Sequence, residues 1–351
     1  MVTPFAVDSI PAGKSIIGRS KEIESLVSVI DELQKSAVIY DAPRSGKETI
    51  VMEALDWLKK KDSSYIVCCI DLFNIRNFSD FIKLWKEKMK EYAGAANEGA
   101  IFSFDIDIDS ISDRKALELP NLIAGEAFKT LIVYFKSFHN FLAMEDDSFK
   151  IDWLSQTFSK HKHVRYIFTG SFMNPMKTIF EDRKLFYGMT HRVELLPLDK
   201  KEICEYINQT FLNYGRVIEF EECMAIYELT SGNMWYIKQL CSTIFEIPAG
   251  YINRSVVNQA RDTVISIHEP RFNQIIWDLT GHQINFLKAI IDGVKKFASS
   301  EILETYNLNS SANVVRIKDA LQKKEVIAID SDDKVRILDP LFEYWLRNIY
   351  L

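Results

Sequence analysis

The chain has 351 residues, and its 47% apolar and 26% charged content is typical of a globular protein of two or three domains. A formal net charge of −6 provides no overall basic field of the kind that attracts nucleic acid or an anionic membrane surface. No apolar run approaches the length that spans a bilayer, and the odd, scattered set of five cysteines suits a reducing compartment. We therefore expect a cytoplasmic protein.

Helix and strand patterns alternate through the first two hundred residues. Apolar residues at helical spacing predict helices, and short apolar runs predict buried strands. In chain order the pattern predicts a helix at 21–34 with Ser20 as N-cap, strand Ser36–Tyr40, helix Glu48–Lys60, strand Tyr65–Leu72, helix Phe78–Tyr92, strand Thr130–Phe135, helix Asp152–His161, and strands Val164–Gly170 and Arg192–Leu196. This alternation indicates an α/β fold, in which a parallel sheet is covered by helices on both faces.

The rest of the chain is mostly helical. The predicted helices are Lys200–Tyr214, Phe220–Leu229, Trp235–Ile247 and Val256–Ser266, and "HEPRFNQ" (His268–Gln274) is interpreted as a boundary. Two further helices follow, then a helix capped by Ser310 or Ser311, and a hairpin that turns at 331–333. The predicted domains are 1–198, 199–267 and 268–351.

The segment "DAPRSGKET" (Asp41–Thr49) lies between a predicted strand and a predicted helix, as a phosphate-binding loop does. Against the pattern G-x-x-x-x-G-K-[ST], Gly46 and Lys47 are retained, but Asp41 replaces the first glycine and Glu48 the hydroxyl residue that binds Mg²⁺. An aspartate about 5 Å from a phosphate would be repelled by roughly 3 kcal/mol at an effective dielectric of 20. The candidate loop residues are Asp41, Ala42, Pro43, Arg44, Ser45, Gly46, Lys47, Glu48 and Thr49.

Four stretches, in order along the chain, resemble the archaeal-type ATPase family of the AAA+/STAND P-loop NTPases. "IIGRSKEIESL" (Ile16–Leu26) resembles the family's entry segment, and "DAPRSGKE" occupies the Walker A position. "LIVYFKSFHNF" (Leu131–Phe141) aligns with the Walker B stretch hhhhhDEFQN, and "YIFTGS" (Tyr166–Ser171) is similar to the sensor strand. The likeness covers nearly the whole chain. It implies a P-loop NTPase-like α/β domain, a helical lid and a winged helix.

The resemblance also implies residue roles. Ile17, Gly18 and Arg19 would lie beside the base of a nucleotide, although Arg19 is expected more to fix the local turn than to touch a ligand. Lys136 stands where the family has its Mg²⁺-binding aspartate, Ser137 where it has its water-activating glutamate, and Ser171 at the sensor position. Met189 stands where the family has an arginine. Arg183 and Arg192 are the two candidates to take over the role of that arginine. His139 replaces a glutamine and is expected to be a hydrogen-bonded structural residue.

These replacements predict a catalytically impaired protein with no catalytic residue. Hydrolysis needs a metal that bridges the phosphates and a group that positions water, and both positions are changed. ATP or ADP is expected to bind weakly or not at all, and Mg²⁺ is in doubt. Two interpretations of Lys136 remain open: its ammonium pairs with Asp41, Glu48 or both, or it has drifted at an abandoned site. A slow ATPase with unusual residues is the alternative function.

The predicted helix after Ser310 has the pattern of a winged-helix recognition helix. Four cations project from it and could contact DNA or a partner: Arg316, Lys318, Lys323 and Lys324. Residues 281–351 contain ten basic and ten acidic residues, so the net charge is zero, and the wing tip is acidic. Counterion release, the main source of non-specific DNA affinity, is therefore small. We favour a protein partner, with DNA as the alternative and no membrane.

Overall fold

The computed structural model of the chain describes residues 3–6, 16–97, 107–146, 149–330 and 332–351. The chain divides into two compact units. Arg19–Leu196 form the first, called the α/β unit below, and Met1–Gly18 with Pro197–Leu351 form the second, called the helical unit. Within the described residues, no helix is long and apolar enough to cross a membrane.

The α/β unit alternates helices with parallel strands. Its elements are α1 (Ser20–Asp31), β1 (Ser36–Tyr40), α2 (Lys47–Lys61), β2 (Tyr65–Asp71), α3 (Phe78–Asn97), α4 (Asp113–Glu126), β3 (Thr130–Lys136), α5 (Asn140–Ala143), α6 (Asp152–Phe158), β4 (Val164–Gly170), α7 (Met173–Lys177), a π-helical turn (Thr178–Asp182) and β5 (Thr190–Arg192). The five strands form one sheet in the order β2-β3-β4-β1-β5, and every pairing is parallel. This is the predicted α/β architecture.

Alternate residues of each strand enter two different cores, as the two-residue period of a strand requires. On β3, Val133 and Phe135 pack into an aromatic core together with Trp85 of α3, whereas Tyr134 packs into the core on the other face with Leu55 of α2. Both faces of the sheet are therefore buried. This explains why the strands appear in the sequence as unbroken apolar runs rather than as alternating patterns.

The helical unit carries the remaining elements. They are α8 (Lys200–Asn213), β6 (Val217–Ile218), α9 (Phe220–Leu229), α10 (Met234–Glu246), β7 (Tyr251–Ile252), α11 (Arg254–Trp277), α12 (Gly281–Ile291), α13 (Ser300–Thr305), α14 (Ser311–Lys323), β8 (Ile327–Ile329), β9 (Val335–Ile337), α15 (Pro340–Trp345) and a final π-helical turn (Leu346–Tyr350). One continuous core joins the first helices of this unit to its last. Strands β8 and β9 pair antiparallel, which is the predicted hairpin.

The segment interpreted as a boundary, His268–Gln274, lies inside the single helix α11. Proline within a helix usually breaks it, because proline lacks an N–H and crowds the preceding turn. Pro270 and Ser266 are both exposed, so the carbonyl that loses its helical partner lies on a solvated face. On the opposite face His268 and Phe272 are buried, and this packing carries the helix through the proline.

Two further differences concern the α/β unit. Helix α4 was not predicted, and the strand expected at Arg192–Leu196 is instead the three-residue β5 (Thr190–Arg192). The hydrogen bond from Val193 N to Val38 O, at 3.0 Å, extends the contact with β1 by only one residue. Helix α4 buries Leu117 and Leu119 in the aromatic core, and its Pro120 is also buried, so packing stabilises a helix that contains a proline.

Candidate functional site

The loop between β1 and α2 turns through two residues in left-handed conformations. Arg44 has φ 64° and Gly46, the N-cap of α2, has φ 90°. A Cβ added at Gly46 would meet no atom within 4 Å, so steric crowding does not require glycine here. The left-handed backbone conformation does. Asp41, in the position of the family's first glycine, accepts a hydrogen bond on Oδ1 from the N–H of Ala42 at 2.8 Å.

Lys47 is held inside this loop. Lys47 is 5% exposed. Its Nζ donates to Asp41 O at 2.9 Å, Ala42 O at 2.7 Å and Ser45 Oγ at 3.1 Å. An ammonium group has three N–H donors, so all three are used. Burial lowers the pKa of Lys47 to about 8, and the charges of Asp41 and Glu48 oppose that shift.

The lowered pKa of Lys47 predicts a pH-dependent stability. The native protein loses this proton near pH 8, whereas an unfolded lysine keeps it to a pKa of about 10.4. Between these values the unfolded state binds more protons, so stability rises with pH. The unfolding free energy of the wild type, measured against Lys47→Met, is expected to rise by up to about 1.4 kcal/mol per pH unit in this window. Parallel curves for the two proteins would contradict the burial of the charge.

Lys136 ends β3, and its ammonium lies against the first turn of α2. The distance from Lys136 Nζ to Glu48 Oε2 is 2.7 Å, with side chains 26% and 63% exposed. The prediction that Lys136 forms an ion pair with Asp41, Glu48 or both is confirmed, and Glu48 is the partner. The two positions at which the family resemblance places Mg²⁺ ligands are thus joined to each other.

Ser137 and Ser171 follow the ends of neighbouring strands. Ser137 has φ 56°, and its carbonyl accepts the N–H of Asn140 at the start of α5. Ser171 follows β4 directly and is half-buried. The backbone of the Ser137 turn is fixed to β4 by the bond from Phe138 N to Thr169 O at 2.9 Å. Neither serine brings a carboxylate to the end of the sheet.

His139 lies in the turn after β3, where the sequence predicts a hydrogen-bonded structural residue. It is 9% exposed, and its Nδ1 is buried without a hydrogen-bond partner. The ring lies against Phe172 at 4.6 Å between centroids, and a Cβ built on Gly170 would come within 3.2 Å of Nδ1. Burial, together with the nearby charge of Lys47, lowers the pKa of His139 to about 4. A neutral imidazole whose Nδ1 is buried without a hydrogen-bond partner therefore lies near the loop lysine.

The three residues of the entry segment fall into both units. Ile17 and Gly18 belong to the helical unit, where Gly18 N donates to Glu202 Oε1 at 3.0 Å. Arg19 belongs to the α/β unit, and its Nη1 bonds Glu22 Oε1 and Leu196 O, both at 2.6 Å. Arg19 thus has the local structural role that was expected of it.

The two arginines considered as substitutes at Met189 are already engaged. Arg183 bonds Glu145 at 2.7 Å and Asp152 at 2.8 Å, and its hydrogen bond with Glu145 raises its pKa. Arg192 pairs with Glu181, and its guanidinium lies 4.4 Å from the ring centroid of Tyr40. To reach a phosphate, either arginine would have to leave these partners.

The four cations of α14 differ in how they are held. Lys318 lies 3.5 Å from Asp333 of the wing tip, Lys323 lies 3.4 Å from Asp319, and Lys324 Nζ donates to Asp278 O at 2.9 Å. Arg316 is exposed. Most of the positive charge on this helix is therefore neutralised or tied within the unit.

The residues fit a phosphate group better than they fit Mg²⁺. The first-turn amides of α2 have no side-chain cap, and Lys47 is adjacent, which is the chemistry that binds an anion at a helix N-terminus. The expected metal ligands are instead a lysine and the glutamate that it binds. Across the described ranges, no group of three or more His, Cys, Asp and Glu side chains is arranged to hold a metal ion.

Comparisons with known proteins show the fold and the C-terminal domain. Residues 270–348 match the family described as probable winged helix domain. A Walker-type ATPase of Pyrococcus abyssi is 15% identical with a TM-score of 0.73, over 98% of this chain and 99% of the other. The ORC2 protein of Aeropyrum pernix, solved as ADPNP-ADP complexes, is 12% identical with a TM-score of 0.60 over 96% and 93%.

A third similar structure, the Aeropyrum pernix ORC1 protein in complex with DNA, is 14% identical with a TM-score of 0.51 over 95% and 94% of the two chains. A search of curated proteins by sequence found no match. The chain thus shares the fold of these solved structures, and its residues 270–348 match a winged helix domain.

Proposed function

We propose that this protein is a catalytically impaired member of the P-loop ATPase fold that acts as a regulatory or scaffold module through protein contacts. One observation carries the proposal. The Lys136 ammonium, at the sequence position where the family resemblance implies an Mg²⁺-binding aspartate, is bound to Glu48 at 2.7 Å. Ser137 next to it supplies no carboxylate to activate water.

The five cysteines are free, which supports a reducing, cytoplasmic location.

Electrostatics explain why this arrangement opposes hydrolysis. A divalent ion about 4 Å from the Lys136 ammonium would be repelled by about 8 kcal/mol at an effective dielectric of 20, before solvent screening. The carboxylate of Glu48 attracts the same ion and offsets part of this repulsion, but its ion pair with Lys136 competes with its use as a metal ligand. Without a metal to bridge the β- and γ-phosphates, the charge of the transferred phosphoryl group is not stabilised.

Nucleotide affinity is proposed to be weak. Lys47 would have to give up hydrogen bonds to Asp41 O, Ala42 O or Ser45 Oγ before it could contact a phosphate. The carboxylate of Asp41 also lies at the loop and repels an anion. The uncapped amides of α2 remain favourable, so weak binding of ADP or ATP is retained.

The turnover of radiolabelled ATP tests the proposal. We expect the wild type and Lys47→Ala to release phosphate at the same background rate, with and without Mg²⁺, because the metal and the water-activating group are both missing. The Lys47→Ala variant is the control, since it removes any contribution of the loop and exposes contaminating ATPases. A Mg²⁺-dependent rate that Lys47→Ala abolishes would show a slow ATPase instead.

DNA binding is the second candidate function. It is supported by the winged-helix match at residues 270–348 and by the likeness to a protein solved in complex with DNA. The ion pairs of Lys318 and Lys323 favour a protein partner, since their cations are partly neutralised within the helical unit. A salt titration of duplex binding with Arg316→Ala distinguishes the two candidates, because a phosphate contact reduces the salt slope by about one when it is removed.

A further inference from the structure

We propose that the P-loop site binds the phosphates of ADP or ATP without a metal ion, with the Lys136 ammonium in the place of Mg²⁺ and His139 as an additional contact. This inference rests on the proposed function and names the ligand form that the site takes. The chemical class is a metal-free nucleoside di- or triphosphate. Three observations in the α/β unit carry it.

The first observation is the distribution of cationic donors. Lys47 uses all three N–H groups within the loop. Lys136 uses one, toward Glu48, so two N–H donors remain on an ammonium whose side chain is 26% exposed. The spare cationic donors beside the first turn of α2 therefore belong to Lys136. They lie where a metal ion would otherwise bridge protein and phosphate.

The second observation is His139. Its Nδ1 is buried without a partner, although the residue is only 9% exposed, and a buried polar atom of this kind is normally satisfied. The atom lies beside Gly170 at the end of β4, and its ring is close enough to Lys47 to sense the lysine charge. If Nδ1 carries the proton, it would donate a hydrogen bond to a phosphate oxygen, and this bond would satisfy the buried atom.

The third observation is the start of α2. This 15-residue helix begins at the loop with Gly46 as its N-cap and without a side-chain cap, so first-turn N–H groups are available to an anion. Two carboxylates lie nearby. Glu48 is paired with Lys136, and Asp41 accepts a hydrogen bond from Ala42 N, so both acids have partners inside the site.

Calorimetric titration with ADP, in EDTA and in excess Mg²⁺, tests the inference directly. We expect ADP to bind in EDTA with an affinity equal to or several-fold above that in Mg²⁺, because the ammonium repels the metal of a Mg²⁺–ADP complex. Binding at least tenfold tighter in Mg²⁺ would overturn the inference, as would the absence of binding in EDTA. Neither result tests the proposed lack of ATP turnover. That proposal is contradicted only by Mg²⁺-dependent hydrolysis.

Matched variants locate the effect. Lys136→Met is expected to weaken ADP binding in EDTA about tenfold, whereas Lys160→Met, which removes an exposed lysine from the opposite end of the sheet, leaves it unchanged. Lys136→Asp combined with Glu48→Ser places an acid and a hydroxyl at the two metal positions, so binding is expected to become Mg²⁺-dependent. Equal effects of Lys136→Met and Lys160→Met would overturn the assignment of Lys136. Circular dichroism of each variant verifies folding.

The part assigned to His139 has its own readout. In protein with ¹⁵N-labelled histidine, the Nδ1 resonance of His139, assigned with His139→Gln, is expected to shift when ADP is added in EDTA. The other five histidines serve as controls. Saturating ADP without a shift at Nδ1 would remove His139 from the site and leave the role of Lys136 standing.

Discussion

Replacement of Trp85 by alanine is expected to lower the free energy of unfolding of the α/β unit by about 3–5 kcal/mol. Trp85 is fully buried, and its ring stacks on Phe135 at 5.8 Å and on Phe158 at 5.9 Å between centroids. Its Nε1 donates to Ala116 O at 2.7 Å. Alanine would leave a cavity in the aromatic core and a carbonyl of α4 without its partner.

Trp85→Phe separates the two contributions. Phenylalanine keeps most of the stacked surface but loses the N–H and part of the ring volume, so we expect a loss of about 1–3 kcal/mol. Urea denaturation followed by far-UV circular dichroism gives both values. Hydrogen exchange in peptides from residues 200–351 is the internal control, because these residues belong to the other unit and are expected to keep their protection. A loss below about 1 kcal/mol for Trp85→Ala would contradict the packing described here.

The sheet could be predicted from the sequence because both of its faces are buried. Runs such as Thr130–Phe135 have no polar alternation, and a strand of this kind keeps its pattern whatever packs on it. Helices α4 and α11 were harder to predict, because each contains a proline and a proline usually marks the end of a helix. In the structure both helices continue through it, since Leu117 of α4 and Phe272 of α11 are buried. Tertiary contacts overrode local propensity in both.

The charge pair of the candidate site was predictable in kind but not in detail. The ends of parallel strands and the loop after β1 meet at one edge of such a sheet, so a lysine at position 136 was expected to meet an acid there. The choice of Glu48 over Asp41 depends on the phase of α2, which places Glu48 in its exposed first turn. The unpaired Nδ1 of His139 could not be predicted from the sequence, because it depends on contacts with Gly170 of β4 and with Phe172, which are distant in the chain.

One continuous core joins α10 and α11 to the C-terminal elements α12–α15. Asp339 fixes this connection. Its carboxylate accepts from Tyr236 Oη at 2.9 Å and from Arg271 Nη2 at 2.5 Å. Oδ1 also caps α15 by accepting from Leu341 N and Phe342 N at 3.0 and 3.1 Å. One side chain thus ties α10 and α11 to the N-terminus of α15.

Asp339→Ala is accordingly expected to lower the stability of the helical unit by about 2–4 kcal/mol, the sum of a lost N-cap and of a partly buried arginine that loses its carboxylate partner. Asp339→Asn keeps a capping oxygen and loses the charge, so about half of that effect is expected. Hydrogen exchange is expected to accelerate in peptides that cover α11 and α15 and to stay unchanged in the α/β unit. If exchange accelerates only in α15, Asp339 acts as a helix cap alone, and the connection through Arg271 and Tyr236 contributes little.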